Sequence, residues 1–407
     1  MTTTPVFRLD TVMGRALSAR AVVLTRALAP QMESWASTVG AGNAGDALAG
    51  IAPIGRVDLT MPETPAIPAH VREAAEAALD RGETHYTTRP GVTALREAIA
   101  RQMTAEGFEA TAEAMLVTNG GSEALYIALQ TLLEKGQRII VAGPTAPNIV
   151  EMIRFIGAEP VVLPAERAGG FIPRVEAIES AGASAILLAS PSSVTGLALS
   201  SDELEAIIAA AIRHDMTVFL DRSLASAPYD PAQARFGNPE LGAKVVTIGS
   251  FSTGHGLTGW RVGWLTAPEA RMKRPRALKQ DMSICTTAVS QFAALAFLDD
   301  PEDWTAKRRA EFARRRDAVM ARLRATRLVP VAPDAYPALL IDVRAVDEDD
   351  RRFAVRLREE SGVIVQPGSS FGPATAGYIR LDLGVPAATL QEGIERLAAF
   401  AARKTHA

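Results

Sequence analysis

Cysteine is nearly absent: Cys285 stands alone among 407 residues, which excludes an intrachain disulfide. The five histidines are scattered and offer no spacing for a zinc site, so no metal is expected. With no motif around it, Cys285 reads as a core residue. Aromatic residues make up 5%, and neither sign of charge is in surplus, 43 Lys and Arg facing 46 Asp and Glu. Without a basic excess nothing draws a phosphate backbone or an anionic bilayer, which excludes nucleic acid and membrane as principal partners. Long hydrophobic runs are also missing. Ala21-Val22-Val23-Leu24 follows Arg15 and Arg20 but is cut by Arg26, and Pro30, Glu33 and Trp35 stand where a signal peptide needs its cleavage site. Residues 11–38 read instead as an amphipathic helix that docks on its own domain or on a second subunit. A reducing cytoplasm fits this cysteine usage.

What remains is ordinary globular composition, 48% hydrophobic and 22% charged, long enough for two or three domains. Helical spacing runs over 68–80 and 91–105, with Gly82 placed as a C-cap. Short apolar runs then alternate with helices: Met115 to Thr118, a helix from Ser122 to Leu133, Arg138 to Val141, Pro160 to Leu163, Ala185 to Ala189, Val218 to Leu220 and Val245 to Ile248. Short buried strands separated by helices predict an α/β fold, a mainly parallel sheet with helices on both faces. After residue 300 a long helix carries Lys307, Arg308, Arg309, Arg314, Arg315 and Arg316 beside Glu311 and Asp317, read as a solvated face. Strands at Ala338 to Val343 and Tyr378 to Leu383 close the chain as a smaller α+β unit. There is no internal repeat and no low-complexity linker.

Two segments carry chemistry. Ser250-Phe251-Ser252-Thr253-Gly254-His255-Gly256-Leu257-Thr258-Gly259-Trp260-Arg261-Val262-Gly263 follows a buried strand. Its hydroxyls at alternate positions, its glycines and its arginine suit the surround of a phosphate. Thr118-Asn119-Gly120-Gly121-Ser122-Glu123 ends a strand in glycines and opens a helix, whose free N–H groups and dipole favour an anion. Either alone is also an ordinary tight turn.

Together they resemble the class I and II aminotransferases, fold type I pyridoxal-phosphate enzymes, whose hallmark runs Ser-Phe-Ser-Lys and ends Gly-Trp-Arg-x-Gly. The resemblance spans roughly 58–400. It takes in Tyr86-Thr87 with Gly91 and Leu95-Arg96, Pro191 to Gly196, Asp221 at a strand end, and Gly377-Tyr378-Ile379-Arg380-Leu381. It implies an aspartate aminotransferase-like fold in three parts: an N-terminal segment 1–57, a large domain 58–300 and a small domain 301–407. It implies a homodimer acting on a small amino acid or oxo acid. By the same resemblance, Gly121, Ser122, Ser250, Ser252 and Arg261 hold the cofactor phosphate, with Tyr86 reaching in from the neighbouring subunit. Asp221 pairs with the pyridine nitrogen, and Arg380 clamps the substrate carboxylate.

Four positions depart from the family pattern. Thr253 stands where the family has its Schiff-base lysine, and threonine has no amine to offer. Ser193 replaces the asparagine that bonds the phenolic oxygen, Leu224 the tyrosine that serves the same oxygen, and Ala146 the aromatic that stacks on the ring. A stacked aromatic contributes about 0.5–1.5 kcal/mol beyond burial and a neutral hydrogen bond roughly as much. Hydrogen bonds to charge contribute about 1.5–3 kcal/mol each, which keeps noncovalent retention of a phosphate ligand feasible.

Three readings therefore stand. One is an enzyme holding pyridoxal or pyridoxamine 5′-phosphate noncovalently. Another is cofactor-independent chemistry on a phosphate- or carboxylate-bearing substrate, with Arg380, Asp221 and His255 or Thr253 as its polar groups. The third is a catalytically silent ligand-binding or partner protein. His255 is read either as a proton-exchanging group near the missing lysine or as a loop histidine. The Asp221 carboxylate requires a partner, and Arg222 or a path to solvent is open for that role.

Overall fold

In a computed structural model the structure describes residues 55–403, apart from 64, 166, 167 and 169; the helix expected over 11–38 lies outside them. A short strand β1 (Val57–Asp58) is followed by α1 (Ala69–Asp80) and α2 (Thr93–Ala105). Gly82, at φ +77°, ends α1 in the left-handed conformation expected of a residue just past a helix C-terminus. The alternating stretch comprises β2 (Met115–Thr118), α3 (Gly121–Leu132), β3 (Arg138–Val141), α4 (Pro147–Phe155), β4 (Glu159–Val162) and α5 (Val175–Ser180). It continues through β5 (Ala185–Ala189), α6 (Ser201–Arg213), β6 (Thr217–Asp221), α7 (Pro239–Gly242), β7 (Val246–Ser250) and β8 (Gly263–Thr266). Helices α8 (Lys273–Ser283), α9 (Ala288–Asp299) and α10 (Trp304–Leu323) lead to the C-terminal part.

Strands β2 to β8 form one seven-stranded sheet in the order β2-β8-β7-β6-β5-β3-β4. Every neighbouring pair is parallel except those made by β8, which runs antiparallel to both β7 and β2. The hydrophobic pattern does not announce β8, because it follows directly on the Gly-Trp-Arg motif with no punctuation of its own. Period-two alternation divides the sheet between two cores. Val117, Ile186, Leu188, Val218 and Leu220 enter one, and Leu116, Leu187, Phe219, Val246 and Ile248 the other. Both faces are therefore covered by helices, as a parallel sheet requires. Helix α6 starts with a capping box: Glu203 N–H donates to Ser200 Oγ at 3.3 Å, and Ser200 N–H to Glu203 Oε2 at 2.8 Å.

A second, four-stranded sheet follows the order β12-β13-β10-β9, from β9 (Val329–Pro330), β10 (Ala338–Asp342), β12 (Gln366–Pro367) and β13 (Tyr378–Asp382). With α11 (Asp350–Ser361) and α12 (Ala387–Ala402) it encloses a third core that includes Leu339, Ile341, Phe353, Ile379, Leu381 and Phe400. Strand β11 (Val363–Ile364) pairs in parallel with β1.

Register decides where chemistry can sit. Ala189 lies opposite Asp221, Asp221 opposite Ile248, Ser250 opposite Gly263, and Gly263 opposite Thr118. The two motifs and Asp221 thus meet along one sheet edge, the carboxyl end of the parallel strands. Open α/β sheets present their ligand crevices there.

Candidate functional site

The turn from β2 into α3 is shaped by close backbone approaches. A Cβ on Gly263 would lie 2.4 Å from the Gly120 carbonyl carbon and 2.5 Å from the Gly121 nitrogen. One on Gly120, whose φ is +89°, would lie 2.3 Å from Arg261 Nη2. Only glycine satisfies these positions. The first helical N–H groups, those of Gly121, Ser122 and Glu123, donate to no acceptor among the described residues. Arg261 overhangs the turn in a left-handed conformation, φ 54° and ψ 54°, donating from Nη1 to Thr258 O at 3.0 Å and from Nη2 to Asn119 O at 3.4 Å. Strained non-glycine backbone of this kind persists where its surroundings over-determine it.

The β7 end closes a cup of hydroxyls, N–H groups and the Arg261 guanidinium around this turn. Ser250 Oγ donates to Ser252 Oγ at 2.7 Å and accepts from Ser252 N–H at 3.0 Å. A Cβ on Gly121 would lie 3.2 Å from Ser250 Cβ and 3.1 Å from Ser223 Oγ, so α3 begins against these hydroxyls. The structure brings Gly121, Ser250, Ser252 and Arg261 together; Ser122 lies exposed on the first turn of α3, and Thr253 is half-buried next to Ser252.

Asp221, at the end of β6, accepts a hydrogen bond from Ser223 N–H at 2.8 Å. Burial raises its carboxyl above the usual carboxylate range, against the Ser223 hydrogen bonds that lower it. No cation lies against it among the described residues. Arg222 does not fill that role: its guanidinium turns to Glu106 at 2.9 Å, donates to Ala234 O at 2.6 Å and stacks over the Phe108 ring. Ser190 N–H donates to Asp221 O at 3.1 Å, which fixes the Ser190–Gly196 loop beside the carboxylate. On that loop the main-chain oxygen of Ser193 receives Arg380, whose Nη1 also donates to Gln366 Oε1 at 2.7 Å. Asp382 lies 3.8 Å from the same guanidinium.

Two further candidates are His255 and Tyr86. The His255 ring packs between Phe251 and Phe297, at centroid distances of 5.0 and 5.2 Å, with Ser226 Oγ at 3.4 Å from Nδ1. Burial lowers its pKa to about 4, against a hydrogen bond with the Ser250 main chain that raises it, so it is neutral at pH 7. Tyr86 is 76% exposed and lines an open cavity of about 650 Å³ with His85, Ser283, Cys285 and Thr286, none of which belongs to the cup. Cys285 is therefore not a core residue; a sharp turn at Ile284, φ 59°, brings it to that cavity. The arginines of α10 depart from a solvated face as well. Arg308 is stacked over Trp304, Phe312 and Tyr336, and Arg316 over Tyr229.

One pair escaped the sequence reading. Glu123, at the third position of α3, accepts from Asn119 N–H at 2.5 Å and from Lys279 Nζ at 2.9 Å. Ser283 Oγ completes the group, accepting from Lys279 Nζ at 2.7 Å and donating to Glu123 Oε1 at 2.8 Å. A glutamate three residues past a helix cap was a legible local signal. Lys279 carried none, being 156 residues away.

The family model for aminotransferase class I and II matches residues 58–397. The chain belongs to this family. This aminotransferase-family chain is 31% identical over 346 residues to the probable N-acetyl-LL-diaminopimelate aminotransferase of Bacillus subtilis, covering 84% of this chain and 87% of that protein. It is 33% identical to an arginine–pyruvate transaminase of Pseudomonas aeruginosa, over 82% and 87% of the two chains. The aspartate aminotransferase of Thermus thermophilus, solved with maleate, superposes with a TM-score of 0.79 at 30% identity over 85% of this chain and 92% of that one. The fold of this family member is the aspartate aminotransferase-like α/β fold. No helix among its described residues is long and apolar enough to cross a membrane, and no cluster of three or more His, Cys, Asp or Glu side chains is placed there to hold a metal ion.

Proposed function

We propose that this chain holds pyridoxal or pyridoxamine 5′-phosphate noncovalently and acts on the carboxylate of a small amino acid or oxo acid. The carrying observation is Asp221: a half-buried carboxylate, its pKa raised by burial and with no cation against it among the described residues, on the same sheet edge as a turn with unengaged N–H groups. That pairing fits a ligand with a cationic ring nitrogen at one end and a phosphate at the other. Gly121 and Ser122 N–H groups, the Ser250 and Ser252 hydroxyls and Arg261 would hold the phosphate, with Tyr86 supplied by a partner in a homodimer. The buried, unpartnered hydroxyl of Thr286, beside Tyr86, supports a face that another surface completes. When bound, the cofactor supplies an exchangeable amine or carbonyl and a ring that accepts electrons.

Thr253 offers no amine at the position of the family's lysine, so nothing there ties the cofactor covalently. Lys279 does not substitute for it, because its ammonium is held by Glu123 and Ser283. Without an amine at Thr253, proton transfer at the substrate loses the positioned base, a deficit of about 10²–10⁴-fold in ordinary transamination. His255 stays neutral among aromatic rings and serves the loop, and Thr253 would supply a hydroxyl at the position of the family's lysine. Arg380 binds the carboxylate with the N–H groups that Ser193 and Gln366 leave over; the maleate in the Thermus thermophilus structure supports a carboxylate ligand.

A second reading, cofactor-independent chemistry on a phosphate-bearing substrate, is favoured by Leu224. It is 4% exposed and packed into the core of the smaller sheet, so it would offer no hydroxyl to a ring ligand. Titration of the full chain with pyridoxal 5′-phosphate, followed by absorbance and competed with inorganic phosphate, tests both. Saturable binding tighter than that of phosphate, with no adduct left after borohydride reduction, is expected. Binding of phosphate with none of the cofactor overturns the cofactor reading in favour of the second.

A further inference from the structure

We propose that Lys279 is a positioning residue for the anion cup: through Glu123 it cancels a negative charge and fixes the Asn119–Gly120 turn on which a phosphate would sit. The inference rests on the reading of the cup as a phosphate site. Glu123 lies in the first turn of α3, beside the N–H groups with no acceptor. An unneutralised carboxylate there would draw on the positive end of the helix and oppose an incoming anion.

The surroundings remove that conflict. The Lys279 side chain is 1% exposed and that of Glu123 12%, and their 2.9 Å contact is shared with Asn119 N–H and the Ser283 hydroxyl. The other end of Asn119 is also engaged, its carbonyl accepting from Arg261 Nη2 at 3.4 Å. One residue's main chain is therefore held at its nitrogen by the Glu123–Lys279 pair and at its oxygen by the arginine of the cup. Those contacts lower the Glu123 pKa although burial pushes it the other way, so the carboxylate is charged at neutral pH and its compensation matters. A buried ion pair is weak evidence of a stability device, since well-packed apolar replacements often do as well. Its placement at the cup gives this one another purpose.

The test is calorimetric titration of the full chain with inorganic phosphate and, separately, with pyridoxal 5′-phosphate, each variant also being melted. Lys279→Met is expected to weaken phosphate binding about tenfold, the effect of a one-unit charge change beside a partly buried helix N-terminus. Glu123→Gln keeps the ammonium and an acceptor for Asn119; it is expected to bind phosphate at least as tightly as the wild type while melting lower. The double variant E123Q/K279M should return to within about threefold of wild type, neither sign of charge being left over. A merely structural pair moves affinity and melting temperature together; here Lys279→Met loses affinity while Glu123→Gln keeps it despite melting lower. Should Lys279→Met not fold, the order of Glu123→Gln above the double variant decides. Wild-type-like binding by Lys279→Met, or equal weakening in both single variants, overturns the inference alone. Failure of the wild type to bind either probe overturns the phosphate reading and the inference with it.

Discussion

Arg380 donates through Nε and Nη2 to the main-chain oxygen of Ser193, at 3.2 and 3.0 Å. The contact ties a side chain of the smaller sheet to the loop that leaves the large sheet beside Asp221. It sets the plane of the guanidinium before any ligand arrives, so replacing the fork by a point charge loses orientation as well as contacts. Arg380→Lys is expected to weaken binding of a small dicarboxylate such as maleate by roughly 10–100-fold, hydrogen bonds to charge being about 1.5–3 kcal/mol each. Phosphate binding to the same variant, measured by calorimetry, stays at the wild-type value.

Asp221 carries a cost in the free protein. Because burial raises its pKa, the native state holds the proton more tightly than the unfolded chain, and stability is lost as pH rises through the raised value. Asp221→Asn is therefore expected to melt higher than wild type at pH 7, with the gain shrinking as pH falls toward the ordinary carboxylate value of about 3.9. The same variant should bind pyridoxal 5′-phosphate more weakly and inorganic phosphate unchanged. Equal loss for both ligands would contradict a role at the ring nitrogen.

His255 gives the opposite slope. Its pKa lies at about 4 in the native state, so the unfolded chain takes up a proton first as pH falls below about 6.5. Stability is full above that pH and declines toward 4, by roughly 3 kcal/mol if the group is fully neutral in the core. A His255→Phe variant that folds should show a flatter stability profile over this interval in denaturant titrations at stepped pH.

Introducing an amine at residue 253 probes the proposed cofactor site. Thr253→Lys, incubated with pyridoxal 5′-phosphate and reduced with borohydride, should gain the mass of one cofactor at residue 253, located by peptide mapping. Wild-type protein gains nothing at that position. A lysine variant that stays unlabelled means that the site does not admit the cofactor.

Glycine contacts separate cup from scaffold. Gly263→Ala drives a methyl into the Gly120–Gly121 backbone, and overpacking of this kind costs about 1–3 kcal/mol. Phosphate affinity should fall with it, because the turn must move. Gly259, four residues earlier on the same motif, has nothing within 4 Å of its Cβ position, so Gly259→Ala should leave melting temperature and phosphate binding near wild type.

The strands of the large sheet were legible in the sequence. Met115 to Thr118, apolar up to its last residue, and Ala185 to Ala189, apolar throughout, are bounded by polar or glycine-rich segments, and they form β2 and β5 with those ends. The Ser250 to Gly263 motif was legible because its chemistry is concentrated in one stretch. Strand β8 was not, since its four residues read as the tail of that motif. Arg222 was open as a partner for Asp221 by adjacency alone; successive residues of a strand point to opposite sides, and its guanidinium went to Glu106.

What the sequence determined by itself is local: the alternation of strands and helices, the glycines at the turns, the hydroxyls and arginine of the cup, and threonine at 253. Hydrophobic period and backbone sterics act over a few residues, so they can be read without a fold. Only the tertiary structure decided which charges meet. It turned Arg222 away from Asp221, packed His255 between aromatic rings, drew Arg308 into an aromatic cluster, and set Lys279 against Glu123. Each of these depends on contacts between residues distant in the chain, and the free energy of a buried charge is set by such neighbours rather than by its own segment.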